Sequence, residues 1–154
     1  MQFELNENSE QIKIEYAIND DLSEIAELYK LFWGDRTDVD EMVLKFDKIM
    51  KDDNYHLLIA KIEGKIVGTI FGVICEELYG ECKPFLVMED LIVKKEFRRA
   101  GVARALLLHI ESIGREHDCS QIQFITESSR NDAISFYETM GYNAKFNIGF
   151  KKKL

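Results

Sequence analysis

The sequence predicts one mixed α/β domain, a central sheet with helices on both faces, and three observations lead there. Residues 12–18, IKIEYAI, alternate apolar and polar side chains, the pattern of a half-buried strand. Val102, Leu106, Ile110 and Ile113 recur at i, i+4, i+8 and i+11, which lines one face of a helix. Between them, 55–62 and 66–75 flank the turn Glu63-Gly64-Lys65 and read as a β-hairpin.

The elements follow in order. After the first strand, Asn19, Asp20 and Asp21 offer caps to a helix carrying Leu22, Ile25, Ala26, Leu28 and Tyr29. LFWGDRT at 31–37 reads as a loop, and a second helix is expected over 38–51. The hairpin comes next, then a strand over 85–93, FLVMEDLIV, and the helix over 102–117. QIQFIT at 121–126 reads as a short buried strand, and a final helix capped by Asn131 or Ser128-Ser129 stops at Gly141. Phe146, Ile148 and Phe150 suggest a closing strand before KKKL. The strand–helix–strand crossover makes 88–93 and 121–126 parallel neighbours. No repeat, linker or low-complexity tract interrupts the chain, so a single domain over 1–154 is expected.

Composition narrows the functional classes. With 154 residues, 46% hydrophobic and 31% charged, the chain is long enough for a proper core. Its 20 basic against 28 acidic residues, net charge −8, argue against duplex nucleic acid as a partner. The acidity suits cationic substrates, and it equally suits plain solubility. Cys75, Cys82 and Cys119 are odd in number and lack C-x-x-C spacing, while His56, His109 and His117 are scattered. Neither a disulfide framework nor a metal site is expected, and a reducing cytoplasm fits. The acidic start MQFELNENSE does not read as a signal or transit peptide. No apolar run approaches the ~20 residues that cross a bilayer, so no membrane partner is expected.

One stretch runs against the acidic background. KEFRRAGVARALLLHIE, 95–111, places three arginines around Gly101 where a strand gives way to a helix. The first N–H groups of a helix have no internal partners and lie at the positive end of its dipole, a natural seat for phosphate. Gly101 lets the backbone approach closely, Ala103 keeps the helix start narrow, and Arg98, Arg99 and Arg104 can add charge-assisted bonds. Taken alone, the turn is as readily an ordinary connection with solvated arginines. The P-loop and the G-x-G-x-x-G fingerprint are both absent, so ATP and NAD are not the expected anions.

Arg98-Arg99-Ala100-Gly101-Val102-Ala103 resembles the [Q/R]-x-x-G-x-[G/A] turn of the GNAT superfamily of N-acetyltransferases. Asn131-Asp132-Ala133, Phe136-Tyr137 and Gly141-Tyr142 are similar to that family's second signature, N-x-x-A-x-x-F-Y-x-x-x-G-[F/Y], with Asn131 one position nearer the alanine, and the two signatures lie at family spacing. The resemblance implies the GNAT fold, a mixed and mostly antiparallel sheet with one parallel strand pair. It also implies acetyl-CoA as co-substrate. The turn 98–104 (Arg98, Arg99, Ala100, Gly101, Val102, Ala103, Arg104) would then receive its pyrophosphate. Leu91, Ile92 and Val93 would pair with the pantetheine arm, and the Val93 N–H would polarise the thioester carbonyl. Asn131 and Ala133 would contact the arm from the other side, and Tyr137 would be the general acid for the departing thiolate.

Acetyl transfer to an ammonium also needs a base. Glu89 and Asp90 precede Leu91 on the strand and point to opposite faces, which puts Glu89 with Leu91 and Val93. Polyamine-acetylating relatives carry a similar glutamate-aspartate pair with the glutamate as base, so the resemblance implies Glu89 as the base; Asp90 or a water chain remains open. The expected acceptor is a small-molecule primary amine, with a protein or peptide amine, or a non-catalytic acyl-CoA-binding module, as alternatives. A homodimer is one assembly the sequence allows. Trp33, Asp35, Asp38, Glu76 and Glu77 lie in segments that could face the acceptor.

Overall fold

The computed structural model describes residues 11–154; the N-terminal stretch read above for targeting signals lies outside them. The chain divides into two compact units, one ending at Gln123 and the other spanning Phe124–Leu154.

The first unit is built on five strands in the spatial order β1-β2-β3-β4-β5. They are β1 (Lys13–Tyr16), β2 (Tyr55–Ile62), β3 (Lys65–Cys75), β4 (Phe85–Val93) and β5 (Ile122–Gln123). The first four pair antiparallel in sequence order, and β4 pairs parallel with β5. Glu63 and Gly64 both take positive φ, 49° and 76°, which closes β2 onto β3 in the two-residue turn whose twist matches the strands. The helices are α1 (Leu22–Trp33), α2 (Val39–Ile49) and α3 (Val102–Glu116).

Alternation along the strands divides the core between two faces. Leu57, Ile59, Ile66 and Ile92 join Leu22, Ile25 and Leu28 of α1 and Phe46 of α2 in one cluster. On the opposite face lies α3, whose predicted stripe Val102, Leu106, Ile110 and Ile113 is buried throughout. Removing such a side chain from water contributes about 1.5–3 kcal/mol each. Two glycines admit α3 to the sheet. A Cβ on Gly72 would stand 2.8 Å from Ile110 Cδ1, and one on Gly68 would stand 3.1 Å from Val102 Cγ1 and 3.2 Å from Leu106 Cδ1.

Three expectations change in this unit. Leu31, Phe32 and Trp33 belong to α1 rather than to a loop, because the helix runs on to Gly34, whose left-handed conformation (φ 85°) ends it. Asn19–Asp21 form a short 3₁₀ turn ahead of α1, and Asp21 holds the N-cap position while its carboxylate accepts the Ile18 N–H rather than a helix amide. The last strand is shorter than 121–126. It pairs at Leu86↔Ile122 and Val87↔Gln123, so the parallel neighbour of β5 is 86–87 and not 88–93.

The second unit contains α4 (Asn131–Thr139). Arg130 takes the cap position, which makes Asn131 the first helical residue and not the cap. The helix ends in a Schellman motif: Tyr142 N–H donates to Tyr137 O, Gly141 N–H donates to Glu138 O, and Gly141 has φ 92°. Beyond it the expected closing strand does not form. Phe146, Ile148 and Phe150 are 85%, 83% and 93% exposed, and no strand pairs with them among the described residues. An alternating pattern becomes a strand when a neighbouring backbone completes its hydrogen bonds.

Candidate active site

In the first unit the end of β4, the turn after it and the start of α3 converge. β4 departs from regular pairing at one place. Phe71 pairs with Glu89 and Thr69 with Ile92, so Ile70 alone faces both Asp90 and Leu91, and Asp90 takes φ 52°. This is a β-bulge, and it reverses the alternation of β4. Ile92 belongs to the cluster under α1 and α2, so Glu89, placed through Thr69 and Phe71, lies on that face with Ile92. The expected grouping of Glu89 with Leu91 and Val93 is thereby corrected; Val93, opposite Gly68, lies on the α3 face.

The bulge also places Asp90. Burial raises its pKa above the usual carboxylate value. Tyr29 of α1 is pushed strongly upward by its own burial and then by the Asp90 charge, so phenol and carboxylate are neighbours. Nothing in the sequence marks this pair. Tyr29 reads as one more residue of a helical stripe, and a bulge has no local signature here.

Past the bulge, register decides what the Val93 backbone presents. Lys94 N–H donates to Val67 O at 2.8 Å, which makes Val67 and Lys94 a hydrogen-bonded pair. In an antiparallel ladder the next pair, Gly68↔Val93, is then non-hydrogen-bonded. The Val93 N–H and C=O therefore point away from β3. The carbonyl is taken by Arg98, whose Nε donates to it at 3.3 Å.

The turn that follows leaves backbone amides without helical partners. Lys95–Phe97 form a 3₁₀ turn, Arg98 is extended, and Arg99 and Gly101 take positive φ, 63° and 88°. The first cap bond of α3 runs from Ala105 N–H to Gly101 O, so the amides of Val102, Ala103 and Arg104 precede the helical ladder. A Cβ built on Gly101 would meet a single atom within 4 Å, Ile12 Cδ1 at 4.0 Å, so the approach to these amides is open. Arg98, Arg99 and Arg104 are exposed around it, whereas Val102 is buried and anchors the turn. These features suit a diphosphate, and the outward Val93 N–H suits a carbonyl oxygen.

Asn131, Ala133 and Tyr137 lie on α4 in the second unit. Tyr137 sits among rings, with centroids at 4.5 Å to Phe124, 5.4 Å to Phe136 and 6.3 Å to Tyr142. The Schellman bond to its carbonyl fixes the backbone beneath it. Burial raises its phenol pKa, with the Arg130 charge opposing in part, so the hydroxyl keeps its proton at neutral pH.

The acceptor candidates separate on geometry. Asp38 caps α2 by accepting the Glu41 N–H, and Glu77 accepts the N–H groups of Leu78 and Tyr79, so both have local structural work. Asp35 and Glu76 are exposed. Trp33 packs edge-on against Phe32 at 4.7 Å and stays half exposed at the end of α1.

Comparison with known proteins shows the family and the fold. The sequence model of the acetyltransferase (GNAT) family matches residues 22–142. A thialysine N-epsilon-acetyltransferase from Sus scrofa is 24% identical over 129 residues, 78% of this chain and 73% of the relative. The glucosamine-6-phosphate N-acetyltransferase structure from Arabidopsis thaliana superposes with TM-score 0.79 at 20% identity, covering 92% of this chain and 97% of that one. The structure of AAC(6')-Iy with a bisubstrate CoA analogue gives 0.78 at 21% identity, over 93% and 98% of the two chains.

Proposed function

Because the chain belongs to the GNAT family of acetyltransferases, acetyl-CoA-dependent enzymes, we propose that it acetylates a primary amine of a small molecule. We take residues 1–154 as one N-acetyltransferase domain, since the family match runs across both units. The observation that carries the amine is the carboxylate pair at the β4 bulge, Glu89 and Asp90, on the strand that ends in the outward N–H of Val93. The relative's name, a thialysine N-epsilon-acetyltransferase, points to the same acceptor class.

Acetyl-CoA supplies an activated acyl thioester, and this chain's residues hold, polarise and move protons. In the first unit the backbone of Leu91, Ile92 and Val93 would hold the pantetheine arm; in the second, Asn131 and Ala133 are the residues the family signature assigns to it. The amides and side chains from Arg99 to Arg104 take the pyrophosphate. The Val93 N–H donates to the oxygen on which negative charge develops. Glu89 accepts the ammonium proton, on the face the bulge assigns it. Tyr137 donates its phenolic proton to the leaving sulfur, and its raised pKa keeps that proton available. A second reading makes Asp90 the base, favoured by the burial that raises its pKa toward neutrality.

The test is an amine screen read as free thiol, run on wild type, Tyr137→Phe, Glu89→Gln and Asp90→Asn. Turnover with a small amine is expected, with a fall of roughly 10²–10⁴-fold in Tyr137→Phe, the range for losing a positioned acid. Transfer to peptide amines alone would overturn the small-molecule reading. Coenzyme A binding without turnover on any amine would favour a binding module.

A further inference from the structure

Arg98 stands in the turn expected to bind phosphate, yet its Nε is committed elsewhere. It donates to Val93 O at 3.3 Å, five residues back along the chain. That carbonyl and the Val93 N–H leave the strand on the same side, away from β3, because Gly68↔Val93 is a non-hydrogen-bonded pair. An untied carbonyl there would place a partial negative charge next to the donor that must meet a developing oxyanion. The same peptide unit is fixed from its other end by Lys94 N–H, which donates to Val67 O at 2.8 Å. Lys94 is steadied in turn by Glu24, whose Oε1 lies 3.6 Å from Lys94 Nζ and accepts the Ile66 N–H at 3.2 Å. The Val93–Lys94 peptide is therefore gripped on both sides by side-chain and strand bonds.

We propose that Arg98 is a positioning residue and not a phosphate ligand: its Nε–H ties the Val93 carbonyl and sets the Val93 N–H as the site's outward donor. The inference rests on the acetyl-transfer reading for its catalytic consequence and on the observed bond for its structural part. Arg98 as a whole is exposed, so the outer nitrogens of its guanidinium remain in reach of an anion. An experiment must therefore separate the two jobs.

Topology offers the means. In glutamine the side-chain nitrogen is attached to Cδ, where arginine carries Nε, so Arg98→Gln keeps an N–H donor at that point and discards the charge. Arg98→Met keeps the side chain as far as that atom and discards both. Each variant is assayed with acetyl-CoA and with S-acetylpantetheine, which carries the thioester but no pyrophosphate. Hydrogen exchange over residues 90–97 is followed in the unliganded proteins. Arg98→Met should lose about tenfold in kcat with both donors, the scale of one hydrogen bond from a charged group, with KM for acetyl-CoA little changed. Its 90–97 amides should exchange faster, and Arg98→Gln should restore both properties to within about threefold of wild type.

A loss confined to acetyl-CoA, appearing in KM and equal in the two variants, would make Arg98 a phosphate ligand and overturn the proposal. Unchanged exchange in Arg98→Met would overturn it as well. The exchange readout needs no turnover, so a wild type inactive on every amine would sink the proposed function while the clasp itself is still decided.

Discussion

Tyr16 Oη lies 3.0 Å from His56 Nδ1, while His56 Nε2 is buried with no hydrogen-bond partner among the described residues. The His117 ring at the end of α3 packs 5.2 Å away at 72° to it. Burial lowers the His56 pKa and the His117 charge lowers it further, against the opposing pull of Asp53 and Glu116. The folded protein thus favours neutral His56. Below the unfolded value of about 6.5 the unfolded chain takes up a proton that the folded chain refuses, so stability falls as pH drops. Glu15 works in a different window. Its bonds to Lys13 and Lys61 lower it to about 2, so its contribution is lost only as pH falls through the carboxylate range. Denaturant melts between pH 7.5 and 5.5 should therefore show wild type losing more stability than His56→Leu. Parallel losses would mean that His56 is not held neutral. Single residues were unevenly legible from sequence: Gly101 and Tyr137 carry motif signatures, whereas His56 was one of three scattered histidines. The Arg98 bond to Val93 was hidden in a residue read as a phosphate contact.

Strands and helices became legible where their signal is local. The β2–β3 turn is announced by Glu63-Gly64 between two apolar runs, and the α3 stripe by its spacing. The β4 bulge was not, because a register shift depends on pairing with β3 rather than on any property of residues 85–93. Phe146, Ile148 and Phe150 failed in the opposite direction, having the pattern of a strand without a paired neighbour. The contact of α3 with the sheet provides a test among elements. An alanine methyl at Gly68 would stand 2.9 Å from Ile92 O, a backbone atom of β4 that cannot swing aside, as well as close to Val102 and Leu106. At Gly72 the crowding is with Ile110 Cδ1, the movable end of a side chain. Gly68→Ala should cost ~1–3 kcal/mol and lower Tm by several degrees, with Gly72→Ala clearly milder. Equal costs would show that the two glycines serve the same packing purpose and that the β4 backbone yields.

Across the molecule, cofactor binding and folding share one equilibrium, so the family assignment has a thermodynamic consequence that requires no acceptor. A ligand that binds the folded chain and not the unfolded one stabilises it by about 2.7 kcal/mol at 100 times its Kd. Coenzyme A should therefore raise Tm in a concentration-dependent way. Gly101→Asp tests whether the turn is responsible. Its φ of 88° is one that side-chain-bearing residues adopt at a cost, so the free variant should melt slightly lower than wild type. Space is not the obstacle, since nothing closer than Ile12 Cδ1 at 4.0 Å meets a Cβ there. The larger effect should fall on the ligand, because a carboxylate at the mouth of α3 opposes the pyrophosphate charge that the helix dipole and Arg99 and Arg104 attract. The coenzyme A shift should vanish in Gly101→Asp, and Gly101→Ala, which shares the strain without the charge, should keep most of it. A full shift in Gly101→Asp would place the pyrophosphate away from this turn. Loss in both variants alike would make backbone conformation, rather than charge, the property that Gly101 contributes.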